Sequence, residues 1–550
     1  MRSRLLQLDS RDNVLIALSD LKKDEELSLG NQSYALVSDV PAKHKFAAHD
    51  LAPGDPVFMY GVVVGKAVKA IPRGERITTL NVRHDAAAFH ENGNAYCWRA
   101  PDVSKWRQRT FSGFHRSDGQ VGTRNYWLVI PLVFCENRNL DVLKQAFQEE
   151  LGFSVPQIYR RHVAELAGLY REGRTDEIRK HSFAAAPTIS VAKPKLFGNV
   201  DGIKFLVHEG GCGGTREDAN NLCGLLAGYI HHPNVAGATV LSLGCQNAQI
   251  PILRQEIERR NPKFDKPLFV FEQQKCASEA AMLSEAIRET FLGLMEADTV
   301  SRKPAPLSHL SAALKCGGSD GFSGISANPA IGHVADLLVA LGGRGILAEF
   351  PELCGVEQQL INRCVDKNVS QRFIQFMRDY AARAKAVRSG FEMNPSPGNI
   401  RDGLITDAMK SAGAAKKGGT SPVTGVLDYP EYSSTAGLNL LCTPGNDVEC
   451  VTAQVGSGAN VVLFTTGLGT PTGNPIAPVI KISTNSDLSR RMHDIIDIDT
   501  GPIISGDASI KEMGETILDF VIQVAGGERK TKAELLAQDD FIPWKRGVSL

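Results

Sequence analysis

From residue 126 onward, short apolar runs rich in β-branched and aromatic residues alternate with segments of helical period. No other feature of the chain narrows its fold as much. Tyr126-Trp-Leu-Val-Ile-Pro-Leu-Val-Phe, Lys204-Phe-Leu-Val, Ala238-Thr-Val-Leu-Ser-Leu and Pro267-Leu-Phe-Val-Phe read as buried strands. Between them, Glu217 to His231 and Ile250 to Arg260 carry apolar residues at helical spacing. The rhythm resumes at Leu307-Ser-His-Leu-Ser-Ala-Ala-Leu, Arg344-Gly-Ile-Leu-Ala-Glu-Phe, Leu438-Asn-Leu-Leu-Cys and Ala459-Asn-Val-Val-Leu-Phe-Thr-Thr. Strands alternating with helices predict an α/β fold, with parallel sheets covered on both faces in two regions, 109–300 and 301–550.

In such sheets, ligands sit beyond the carboxyl ends of the strands. Three of these ends carry a cysteine among glycines. His208-Glu-Gly-Gly-Cys212-Gly-Gly-Thr follows Phe205-Leu-Val, and Gly244-Cys245-Gln-Asn247 follows Val240-Leu-Ser-Leu. Cys316-Gly-Gly-Ser319-Asp320 follows the run that starts at Leu307. The stretch from Cys316 leads to a predicted helix with Asn328 at its N-cap and Pro329 in its first turn. Backbone N–H groups in such a turn converge on an anion. One free cysteine is an ordinary packing residue, but three at strand ends point to a shared site. A parallel sheet is expected to bring Cys212, Cys245 and Cys316 to one edge, with His208 four residues before Cys212. Cys135, Cys223, Cys276, Cys364 and Cys442 lie in apolar or helical settings and read as packing residues. The turns Asn394-Pro-Ser-Pro-Gly-Asn, Thr443-Pro-Gly-Asn446-Asp and Gly467-Leu-Gly-Thr-Pro offer amides and hydroxyls suited to a polyhydroxylated acid.

Composition excludes several classes. Sixty-one basic residues balance 61 acidic ones, with no dense basic run, so nucleic acid is not an expected partner. No apolar run is long enough for a bilayer, and the first residues lack the apolar core of a signal peptide. Eleven scattered cysteines without a secretion signal predict a reducing cytoplasm. No Cys-x-x-Cys pair, dinucleotide fingerprint or P-loop is present.

Residues 1–85 have a different pattern. Val14-Leu-Ile-Ala-Leu, Tyr34-Ala-Leu-Val and Pro56-Val-Phe-Met-Tyr-Gly-Val-Val-Val are short β runs between polar turns. The pattern resembles the SAF module, a compact β-clip, through Lys43-His44-Lys45-Phe-Ala-Ala-His-Asp. His44 and Lys45 are candidate contacts for a sugar carboxylate. Related modules often end their last strand in His-x-His-Asn; here that place reads Thr78-Thr-Leu-Asn81. Residues 86–108 are polar and irregular and read as a linker from a separately packed β-clip.

Together, His44-Lys-Phe-Ala, Gly119-Gln-Val-Gly-Thr-Arg124-Asn125, His208 with Cys212, Leu243-Gly-Cys-Gln-Asn, Cys316-Gly-Gly-Ser-Asp, Glu349-Phe-Pro-Glu352, Asn394-Pro-Ser-Pro-Gly-Asn and Thr443-Pro-Gly-Asn-Asp resemble the altronate hydrolase and galactarate dehydratase family, in the family's order. The resemblance implies a β-clip, a middle dimerising domain and a Rossmann-like C-terminal domain. It also implies loss of water from a sugar acid, D-altronate giving 2-dehydro-3-deoxy-D-gluconate in hexuronate breakdown. Galactarate as substrate, or a sugar-acid-binding protein without turnover, are the alternatives. The family requires Fe²⁺ or Mn²⁺. Cys212, Cys245 and Cys316 are the candidate ligands, for a single iron or an iron–sulfur cluster. His208 or Lys410 is the candidate base, with His44 closing over the site. Lys45, Arg124, Asn125, Asn247, Ser319, Asp320, Asn328 and Asn446 are the candidate substrate contacts. Residues 183–198 look like an insertion.

Overall fold

The computed structural model describes residues 3–91, 93, 95–154, 158–183 and 193–547. Most of the expected insertion, residues 184–192, lies outside the described residues. The N-terminal unit consists of short antiparallel strands. Leu5–Leu6, Val14–Ala17 and Lys45–Ala47 form one sheet, Glu26–Leu29 and Gln32–Ala35 a hairpin, and Pro56–Met59, Val62–Ala67 and Val82–Arg83 a third group. Leu15, Tyr34 and Phe46 fill a small core of its own. Alternation along the strands leaves a second apolar face, with Val14, Ile16, Val57, Met59 and Val64. That face shares one core with Ile405, Ala408 and Met409 of the C-terminal region. The β-clip is therefore not the separately packed unit that a flexible linker would join. Residues 86–108 are themselves laid along the C-terminal region: Trp106 is buried, and its Nε1 donates to Asp519 at 2.8 Å.

The middle region holds a four-stranded parallel sheet. Its strands are β1 (Tyr126–Pro131), β2 (Gly202–Phe205), β3 (Val235–Ser242) and β4 (Leu268–Glu272), in the order β2-β1-β3-β4. The C-terminal region holds a seven-stranded parallel sheet of β5 (Ser311–Cys316), β6 (Arg344–Leu347), β7 (Val423–Leu427), β8 (Gly437–Leu441), β9 (Val461–Thr466), β10 (Val479–Ser483) and β11 (Ile498–Asp499). Its order is β7-β8-β6-β5-β9-β10-β11. The chain leaves β5 toward β6 and returns on its other side at β9, so a crevice opens beyond the end of β5. Cys316 is the last residue of that strand.

The two sheets therefore separate the cysteines. Cys212 and Cys245 follow β2 and β3 of the middle sheet, whereas Cys316 ends β5 of the other. The expectation of one common sheet edge fails because the chain builds two sheets instead of extending one. The helices Arg216–His231 and Asp447–Gly456 join the regions. A Cβ on Gly228 would stand 2.1 Å from the carbonyl oxygen of Gly456, so glycine alone permits this approach. No helix among the described residues is long and apolar enough to cross a membrane.

His232 ties the same joint. Its Nε2 donates to the Ala459 carbonyl at 2.9 Å, and its Nδ1 accepts from Asn234 at 3.1 Å. Burial pushes its pKa down to about 3. Between that value and the ordinary one near 6.5, the unfolded chain binds more protons, so stability falls as pH drops through this window. One such group contributes about 1.4 kcal/mol per pH unit. Urea unfolding of His232→Gln at pH 7 and pH 5 is expected to show a shallower acid loss than the wild type. Equal losses would remove His232 from the account.

Candidate active site

The crevice beyond β5 is lined by buried charge. Lys315, one residue before Cys316, is fully buried within an otherwise apolar strand. Its ammonium meets Glu349, the Gly445 carbonyl at 3.0 Å and Asp447 at 3.0 Å. Lys417 holds the other oxygen of Glu349. Burial alone would push both lysines down, but Glu349 outweighs it and holds both above their ordinary values. Glu349 has a left-handed backbone (φ 69°), a costly conformation for a non-glycine residue, and its N–H donates to Thr443 Oγ1 at 3.0 Å. Glu352 pairs with Lys410 at 2.8 Å, and Lys410 donates to Asn394 at 2.6 Å. Glu352 Oε2 is buried without a hydrogen-bond partner among the described residues. Cys316 Sγ lies 2.6 Å from Ser319 Oγ, close enough to Lys410 and Lys417 to act on their charge.

The β-clip closes this crevice. Lys43, left-handed at φ 75°, reaches Asp320 at 2.9 Å and Asp402 at 3.1 Å. The neighbouring His44 donates from Nε2 to the Arg401 carbonyl at 2.9 Å, and burial lowers its pKa. Lys45 donates to the Gly403 carbonyl at 2.7 Å; it is fully buried, and desolvation brings its pKa down to about 7 against the pull of Asp320. The other oxygen of Asp320 accepts from Phe322 N and Ser323 Oγ, which holds the turn after Cys316 in shape.

Other predicted contacts lie elsewhere. Arg124 is buried in a pair with Glu534 at 2.6 Å and donates to the Val524 carbonyl at 2.9 Å. Asn125 spends its amide on the carbonyls of Asn199 and Ala297. Both fix the chain's path at the foot of β1, away from the crevice beyond β5. Asn328 is not the N-cap of helix Ala327–Ala340; Ser326 is. It bonds Thr465 Oγ1 at 2.6 Å and the Gly413 carbonyl at 3.1 Å. Asn446 is exposed and donates to Glu449. His208, Cys212 and Asn247 line a different cavity, of about 520 Å³, shared with Gly211, Thr215 and Trp544. Helix Asp447–Gly456 stands between the two places, with Asp447 turned to Lys315 and Glu449 to the cavity. His208, the expected base, is engaged at both ring nitrogens. Its Nε2 donates to the Pro131 carbonyl at 2.7 Å, its Nδ1 accepts from Gly210 at 3.1 Å, and burial lowers its pKa to about 4.

Sequence reasoning missed Lys43, Lys315 and Lys417. A single lysine inside the apolar run Ser311-Ala-Ala-Leu-Lys-Cys was the available signal, since a charge there demands a buried partner.

Three family profiles match in sequence order. The Altronate/galactarate dehydratase SAF domain covers residues 3–85, the D-galactarate dehydratase/Altronate hydrolase second domain 113–298, and the D-galactarate/Altronate dehydratase C-terminal domain 307–549. The altronate dehydratase of Escherichia coli (strain K12) is 32% identical over 549 residues, 99% of each chain. The chain belongs to the altronate/galactarate dehydratase family. The altronate dehydratase of Bacillus subtilis (strain 168) is 32% identical over 95% of each chain. The galactarate dehydratase (L-threo-forming) of Escherichia coli is 30% identical over 96% of this chain and 93% of that one.

The family's metal does not fit the three cysteines expected to hold it. Cys316 is buried against Ser319, while Cys212 and Cys245 are exposed on the other sheet. Among the described residues, no three His, Cys, Asp or Glu side chains are grouped as a single ion needs. Glu349 is already saturated by two lysines.

That saturation is testable. Glu349→Gln removes the charge that Lys315 and Lys417 share, which costs roughly 3–5 kcal/mol for a broken buried pair. A thermal unfolding midpoint equal to that of the wild type would show that the network carries no such energy.

Proposed function

We propose that this member of the family is a cytoplasmic hydro-lyase acting on D-altronate. The observation that carries the proposal is the full-length similarity to two altronate dehydratases, slightly above that to the galactarate enzyme. All eleven cysteines are unbridged, in keeping with a reducing compartment. A homodimer through the middle region belongs to the same proposal. Helix Glu279–Asp298 leaves Ile287, Phe291, Leu292 and Met295 in contact with solvent, apolar surface of the kind a second copy covers.

The reaction removes the proton at C2 and the hydroxyl at C3 as one water, and the resulting enol tautomerises to the 2-keto acid. It needs a base and an acid whose pKa values are pushed apart. We assign the base to Lys45, whose amine is brought down to about 7 by desolvation while its Nζ is bonded to the Gly403 carbonyl. Lys410 is held above its ordinary value, because the pull of Glu352 outweighs burial, so it stays protonated for the leaving hydroxide. Lys43, Asn394 and Ser319 supply polar contacts around the same crevice. Enclosure by the β-clip keeps bulk water from the enol.

A semicarbazide assay for keto acid on a panel of aldonates and aldarates tests the substrate. D-Altronate is expected to give the highest kcat/KM; faster turnover of galactarate would reassign it. In the same assay, kcat/KM should rise with pH through about 7 as Lys45 loses its proton. Lys45→Met should lower kcat about 100-fold or more and erase that limb. An unchanged limb would give the base role to another group.

A further inference from the structure

The segment 394–403, Asn-Pro-Ser-Pro-Gly-Asn-Ile-Arg-Asp-Gly, touches both the β-clip and the helix that carries Lys410. At one end, Asn394 Oδ1 accepts from Lys410 Nζ at 2.6 Å. At the other, the Gly403 carbonyl accepts from Lys45 at 2.7 Å, the Arg401 carbonyl accepts from His44 at 2.9 Å, and Asp402 pairs with Lys43 at 3.1 Å. Only glycine fits at that end: a Cβ on Gly403 (φ 89°) would stand 2.5 Å from the Lys43 carbonyl oxygen. Just beyond, Thr406 caps helix Asp407–Ala414, which carries Lys410. One short segment thus holds the ammonium assigned as acid and the amine assigned as base.

Asn399 lies mid-segment and fastens it to the turn after β5. Ser396 caps the short helix Pro397–Arg401: Asn399 N donates to Ser396 Oγ at 3.2 Å, and Ser396 N donates to Asn399 Oδ1 at 3.0 Å. The Nδ2 of Asn399 donates instead to the Ser319 carbonyl at 2.8 Å. Close by, Gly321 N donates to the Asp402 carbonyl at 2.8 Å. Asn399 is buried, with its amide oxygen and nitrogen both on the backbone, so it acts through the groups it holds. We propose that Asn399 is a positioning residue of the dehydration: its bond to Ser319 sets the segment 394–403 against the turn after β5 and so fixes the separation of Lys45 and Lys410. With Lys45 as base and Lys410 as acid, the reading on which this role rests, elimination needs both groups in register with C2 and C3 at once. A misplacement of about 1 Å costs about 100-fold in rate.

The test compares Asn399→Asp with Asn399→Ala in the keto-acid assay on D-altronate, with rates taken per folded molecule from near-ultraviolet circular dichroism. Aspartate keeps an oxygen for Ser396 N but loses the donor to Ser319; alanine loses both. Both variants are expected to lower kcat about 10- to 100-fold and to change KM less than about threefold. In both, the rise of kcat/KM with pH should move up from about 7 by about half a pH unit or more, because a looser seat lets water reach Lys45 and returns its amine toward the ordinary value. A residue that only caps the short helix would split the two, with wild-type kcat and limb in Asn399→Asp and losses in Asn399→Ala. That split, a fall in kcat with the limb unmoved, or failure of both variants to fold would each overturn the positioning role alone. A wild type without turnover, or a limb that persists in Lys45→Met, would instead bring down the assignment of the base, and the positioning role with it.

Discussion

The Glu349 carboxylate, buried between the Lys315 and Lys417 ammonium groups, is the interaction on which the C-terminal region depends. Burial disfavours the charge on both lysines, and the pull of Glu349 is the largest of those that offset it. The three come from β5, from the turn after β6, and from the segment before β7. Their pairing therefore fixes how three separate parts of the chain meet at the mouth of the sheet. The left-handed backbone at Glu349 is the local strain that aims its side chain inward.

Around that network the molecule closes from two directions. The β-clip brings Lys43 and Lys45 onto the turn after Cys316, and it stays there because its second apolar face has no other cover. From the opposite side, helix Asp447–Gly456 carries Asp447 to Lys315 and packs its far end on the middle region through Gly228 and Gly456. The crevice is thus built by three units but charged mainly by one. The middle region presents its own strand ends on the other side of this helix, with a separate cavity and a row of cysteines.

The two strand-end clusters differ in chemistry. The one beyond β5 is crowded with ammonium and carboxylate groups whose pKa values are pushed apart by burial and pairing. Proton transfer to and from a sugar acid suits that environment. The middle edge carries exposed sulfur beside a cavity that Glu209, Asp218 and Glu449 help to line. A single fold places both within reach of helix Asp447–Gly456, one at each side of its N-terminal turn.

The sequence by itself determined the element types, the parallel sheets and the position of loops at strand ends, since β-branched runs between helical periods admit little else. It also marked the residues around Cys316, because a glycine-rich turn with a thiol, a hydroxyl and a carboxylate has few packing uses. It could not determine which strand ends face one another. That depends on strand order and on how many sheets form, which local pattern does not encode. Hence Cys316 parted from Cys212 and Cys245, Cys135 and Cys276 joined the middle edge, and Arg124 and Asn125 turned to holding the backbone. Lys315 and Lys417 show the same limit: a lysine beside apolar residues signals a buried charge, but only the tertiary structure supplies Glu349 as its partner.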